Sequence, residues 1–156
     1  MKFNSKVLVV FILISSMLMT NYLLASSPNL TTAQTDEILN YVQALTDLQN
    51  QIYTFSQNFI CSSEFNTSTL DNFEDTGNSI EVALSKGLVK YKNDAYLYRD
   101  LLLLKNVINY MRCAICELKI LADHISSSEK ATTLERFYYF RLRARQTLNL
   151  FDPLLS

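Results

Sequence analysis

"AYLYRDLLLLKNVINYMRCAICELKILADHI", residues 95–125, places apolar side chains at Leu97, Leu101, Leu104, Ile108, Met111, Ile115, Leu118, Ala122 and Ile125. This strict 4-3 spacing marks one face of an α-helix, because about 3.6 residues complete a turn. A second row, Leu103, Val107, Tyr110, Ala114 and Leu121, widens the apolar arc. A helix that is apolar over so much of its circumference must be covered on several sides, which predicts a central position. Asp94 stands just before it as a candidate N-cap.

The flanking segments follow the same period. Ile38, Tyr41, Leu45, Leu48, Ile52, Phe55 and Phe59 are spaced 3-4-3-4-3-4, predicting a helix over about 36–60 with Thr35 as its cap. Residues 61–78, "CSSEFNTSTLDNFEDTGN", lose that period and gather Ser, Thr, Asn and Asp, the composition of a long surface loop. Asn78 with Glu81 resembles a capping box and opens a shorter helix, about 79–92, aligned on Ile80, Leu84, Leu88 and Tyr91. Beyond the central helix, Ser126 and Glu129 form a second capping box. They start a helix over about 129–151 with Leu134, Phe137, Arg141, Ala144, Leu148 and Phe151 in line.

Composition agrees with a few long rods. The 156 residues include only 2 Gly and 2 Pro, with 49% apolar side chains, too few turn formers for a sandwich or barrel. The expected architecture is all-α: a single four-helix bundle (about 36–60, 79–92, 95–125 and 129–151) with the third helix central. One core is what a chain of this length supports.

The first residues read as an export signal. Lys2 and Lys6 precede an apolar run, Val7–Met19, followed by the small residues Ala25, Ser26 and Ser27. Residues 1–27 are therefore expected to be a cleaved signal peptide and 28–156 a secreted helical domain. Asn21 and the nearby serines weigh against the rival reading, an uncleaved anchor over Val7–Ala25. Two N-x-[ST] sequons, at Asn29 and Asn66, are candidate glycosylation sites.

Charge is unevenly spread. The eight acidic residues between Ser27 and Ser85 are accompanied by no Lys or Arg, whereas twelve basic and seven acidic residues follow from Lys86 onward. The near-neutral total is not a nucleic-acid binder's balance. Such asymmetry implies one element facing another of opposite sign, or a polarised surface.

Three cysteines are available: Cys61, Cys113 and Cys116. At about 100° per residue, Cys113 points almost opposite the main apolar stripe, and Cys116 about 120° away from it. A thioredoxin-type redox pair needs its first cysteine at a helix N-terminus, and a metal site needs about four ligands. His124, the sole histidine, lies about 16 Å along the axis from Cys113. In an oxidising compartment the expectation is a structural disulfide from Cys61 to Cys113 or Cys116, leaving one spare thiol that is inert or joins a second chain.

"FYYFRLRAR", residues 137–145, is the most interface-like stretch. With Arg136 it interleaves aromatic side chains with arginines, the residue types that dominate binding hot spots. Arg136, Tyr139, Arg141, Arg143 and Arg145 are the candidate partner-binding residues. Arg141 stands on the apolar stripe, so it must snorkel, find a carboxylate such as Asp47, or mark where the stripe leaves the core. Asp71, Asp75 and Glu81 do not make a calcium loop, because Phe73 and Thr76 fall where an oxygen ligand and a glycine are needed.

In size, export signal, helix count and a disulfide tying a loop to a helix, the chain resembles helical cytokines. Their up-up-down-down order needs a long connection before the last helix, whereas Ser126–Ser128 permits only a tight turn. The functional expectation is a secreted, non-enzymatic protein without cofactor or metal. It would act as a cytokine-like or effector-like ligand of an extracellular protein or receptor, with no nucleic-acid partner and no stable membrane insertion after cleavage. The alternative is a structural or self-associating bundle at the cell surface or in the periplasm, with a homodimer as its simplest form.

Overall fold

The computed structural model describes residues 30–62, 67–123 and 126–154, and the remainder of the chain is outside this description. The unit Thr32–Ser156 is described below. Four α-helices and one short 3-10 helix occur among its described residues, with no strand. They are α1 (Thr32–Ser62), α2 (Thr67–Lys90), α3 (Ala95–Ala122) and α4 (Ser127–Leu148), then the 3-10 turn Asn149–Leu154. The expected signal peptide, Asn29, Asn66 and His124 lie outside the described residues, as does the side chain of Cys61. No described helix is long and apolar enough to cross a membrane.

Neighbouring helices run antiparallel. Glu37 of α1 meets Lys90 of α2 while Phe55 meets Phe73. Glu81 of α2 meets Lys105 of α3 while Asp71 meets Lys119. Tyr53 and Gln57 of α1 meet Arg141 and Tyr138 of α4 in reverse order. The result is an up-down-up-down bundle, not the up-up-down-down order of helical cytokines. α3 packs against all three other helices, most extensively against α4 and α2, which flank it on two sides and barely touch each other.

The core is what the 4-3 spacing requires. Leu97, Leu101, Leu104, Val107, Ile108, Ile115 and Leu118 of α3 are all buried. They meet Ile38, Leu45, Leu48 and Ile52 of α1, Leu70 and Leu84 of α2, and Phe137 and Ala144 of α4, all of them buried too. Each of these side chains larger than alanine contributes about 1.5–3 kcal/mol by leaving water. Asp94 caps α3: its carboxylate accepts from the backbone N–H of Tyr96 and Leu97, both at 3.1 Å. The Ser126–Glu129 capping box at the start of α4 is complete in both directions.

The principal correction concerns residues 67–78, expected as loop and found as the first three turns of α2. Leu70, Phe73, Gly77, Ile80, Leu84 and Gly87 form a 3-4-3-4-3 stripe in which glycine fills two of six places. An apolar stripe with glycines in it reads as polar, so composition pointed to a loop. Packing decides otherwise: Leu70 is buried, and Phe73 sets its ring edge-on to Phe55 at 5.8 Å. Thr76 and Ser79 turn their hydroxyls back to the carbonyls of Asn72 and Asp75, each at 2.9 Å, so both are satisfied inside a helix.

Asn78 and Glu81 are therefore mid-helix and cap nothing. Thr35 likewise lies inside α1, which begins at Thr32. The chain does break between α2 and α3: the Tyr91 N–H donates to the Gly87 carbonyl and the Asp94 N–H to the Tyr91 carbonyl, each at 2.9 Å, closing a tight turn. α4 ends at Leu148, a few residues short of the expected boundary, because the chain tightens to 3-10 geometry before Pro153.

Candidate functional site

α4 positions the candidate residues by burying one side and exposing the other. Phe137 and Ala144 are fully buried, which fixes the rotation of the helix. At about 100° per residue, Arg136, Tyr139 and Arg143 then share one outward flank within about 60° of arc. Tyr139 and Leu142 are each 53% exposed. The Arg143 guanidinium lies 5.8 Å from the Tyr139 ring centre, and Tyr139 packs edge-on to Phe140 at 5.5 Å. This is a cationic surface with aromatic footing.

Arg141 and Arg145 do not belong to that flank. Arg141 turns toward α1 and lays its guanidinium 3.5 Å from the ring centroid of Tyr53. Burial is the main cause that lowers its pKa from the usual arginine value, with Arg145 beside it adding like-charge repulsion. Its Nε is buried and reaches no acceptor. Asp47, the carboxylate suggested for it, instead accepts from Gln43 Nε2 at 2.9 Å, one turn away on α1. Tyr138 also faces α1, its hydroxyl accepting from Gln57 Nε2 at 3.2 Å. Of the five candidates, then, Arg136, Tyr139 and Arg143 are brought together, whereas Arg141 serves the α1–α4 seam with Arg145 near it.

Cys113 and Cys116 are exposed on the outer face of α3 as free thiols. Of the segment expected to lay Cys61 across that face, the described residues are helical: α1 continues to Ser62 and α2 begins at Thr67. Among the described residues no group of three or more His, Cys, Asp or Glu is arranged to hold a metal ion.

The acidic first half and basic second half meet along α2 and α3. Lys119 bridges Asp71 at 2.9 Å and Glu74 at 3.0 Å. Glu81 takes Arg112 and Lys105, and Asn78 Oδ1 also accepts from Arg112. Arg112 is the main cause holding the Glu81 carboxyl below its ordinary pKa. The charge asymmetry thus resolves into a ladder between neighbouring helices. The charge blocks in the sequence allow opposite signs to meet or a polarised surface, and the individual pairs emerge only because residues 67–78 are helical.

A second polar knot was missed altogether. Glu37 Oε2 accepts from Lys90 Nζ at 2.7 Å and from the Tyr91 hydroxyl at 2.6 Å, while the Tyr41 hydroxyl donates to the Ala83 carbonyl at 3.2 Å. It ties the start of α1 to the end of α2, and the only signal for it was a Glu–Tyr pair four residues apart. A shallow depression on the outside of α2, lined by Glu81, Val82, Ser85, Lys86 and Val89, is drawn from one helix only. Compared with known proteins, the chain matches no family model, no curated protein and no solved structure.

Proposed function

We propose that this chain is a secreted, non-enzymatic helical protein that acts by binding another protein through the outward flank of α4. The observation that carries the reading is the grouping of Arg136, Tyr139 and Arg143 beside exposed Leu142. Cations over aromatic rings with an apolar neighbour favour an acidic protein surface: arginine pairs with carboxylate, and the ring supplies desolvated area. Secretion is supported by the order of basic, apolar and small residues before Pro28. Glycans at Asn29 and Asn66 would accompany export.

The test uses the chain released by a eukaryotic secretory host. Protein captured by wild type is compared with protein captured by Arg136→Glu/Arg143→Glu and, as control, by Arg145→Glu. The reading expects the double variant to lose its partner and the control to keep it. Equal capture by all three rejects the α4 flank as the contact. A chain retained in cells with residues 1–27 still attached rejects secretion.

A structural, self-associating bundle is the second reading. Its support is the outer face of α3, where exposed side chains bear no charge over several turns.

A further inference from the structure

Leu102, Asn106, Asn109, Cys113, Cys116 and Ile120 all face solvent on α3. They succeed one another at 4-3-4-3-4 spacing over about 27 Å, the period of a seam between two helices. No acidic or basic residue stands among them, although the solvent face of a bundle helix is ordinarily charged. The basic residues beside the line, Lys105, Arg112 and Lys119, are engaged by carboxylates of α2.

We propose that a second copy of this chain packs on this face, α3 against α3, parallel and in register about a two-fold axis. Cys113 and Cys116 each then face their own counterparts. The proposal deepens the self-association reading and asks nothing of the α4 flank.

Two arguments select a second copy in this alignment, and a third says what must hold it. A two-fold contact sets one surface against itself, so a charged face repels its copy and an uncharged one does not. The α4 flank would bring Arg136 and Arg143 against their own counterparts, whereas the α3 line carries no such cost.

Alignment comes next. In the parallel register the whole line overlaps, with Leu102 on Leu102, Asn on Asn and Cys on Cys. Paired Asn in a seam sets register and parallel orientation at some cost in stability. An antiparallel pair overlapping the same line sets Cys113 against Asn109 and Cys116 against Asn106, and keeps the thiols apart.

Area is the third argument. A strip one helix wide falls short of the roughly 1,000 Å² that a stable interface buries. The non-covalent pair is therefore weak, and facing thiols are what can make it lasting.

Closure is thiol–disulfide exchange with a small disulfide as oxidant. A Cys113 thiolate attacks oxidised glutathione and expels one glutathione thiolate, and the partner's Cys113 thiolate then displaces the second. Two protein thiols lose two protons and two electrons, and one disulfide is reduced to two thiols. Cys116 closes by the same steps.

The test incubates the purified chain with oxidised glutathione and follows its mass without reductant. Wild type and Cys61→Ser are expected to become disulfide-linked dimers, and Cys113→Ser/Cys116→Ser to remain monomeric. Leu102→Glu, which sets carboxylates face to face across the axis, is expected to cross-link about tenfold more slowly. Leu102 is 40% exposed, so that variant keeps its helical circular dichroism. A wild-type chain that stays monomeric, or closes a bridge within itself, overturns the proposal. So does a Leu102→Glu chain that cross-links at the wild-type rate. Because partner capture by α4 is not measured, failure of that reading leaves this outcome unmoved.

Discussion

The guanidinium carbon of Arg141 in α4 lies 3.5 Å from the ring centroid of Tyr53 in α1, and the Arg141 Nε is buried and unpaired. A cation placed on an apolar stripe is here seated over an aromatic ring between two helices. The ring face offsets part of the desolvation, but not the orphaned N–H.

Removing the ring and removing the cation should therefore differ. Tyr53→Ala removes the ring and leaves the half-buried guanidinium without its aromatic partner, at an expected cost of about 1–3 kcal/mol. Arg141→Met keeps the apolar stem and removes the orphaned donor, and should cost less. Urea unfolding of both variants measures this. An Arg141→Met chain less stable than Tyr53→Ala would contradict the assignment of Arg141 to the seam.

The two glycines of α2 make opposite forecasts. A Cβ on Gly77 would lie 3.9 Å from Leu48 Cδ2, an ordinary contact, so Gly77→Ala should gain about 0.5–1 kcal/mol from reduced backbone freedom. A Cβ on Gly87 would lie 3.2 Å from Cδ1 of the fully buried Leu101 and 3.6 Å from the Tyr41 hydroxyl oxygen. That crowding should cancel the gain. Thermal melts are expected to place Gly77→Ala above wild type and Gly87→Ala no higher than wild type.

The knot at Glu37 sets a pH dependence. Lys90 first, then Tyr91, hold its carboxyl below the ordinary value of 4.5. Unfolding releases the group to that ordinary value, so the unfolded chain takes up its proton at higher pH. The stability gained from Glu37 is present in full above the ordinary value and is lost as pH falls through the folded one. The melting-temperature gap between wild type and Glu37→Gln is expected to be widest near neutral pH and to close in acid. A gap that widens in acid would contradict the pairing with Lys90.

Wherever local chemistry suffices, the sequence was legible. The Asp94 cap, the Ser126–Glu129 box and the break between α2 and α3 each depend on residues within a turn or two of one another, and the 97–118 stripe repeats at that same range. The candidate site was legible only in part. Arg136, Tyr139 and Arg143 share one flank of α4, whereas Arg141 and Arg145 share their stretch of chain and not their face. Nothing local says that Tyr53, far away in sequence, waits beneath Arg141.

By itself, then, the order of residues determined that the described core segments are helical and that α3 (Ala95–Ala122) is most deeply enclosed, because a 4-3 apolar repeat has one economical burial. Only the tertiary structure decided that α2 starts at Thr67. A segment of Ser, Thr, Asn and Gly has little helical preference of its own, and is held as helix by burying Leu70 and Phe73 against the bundle.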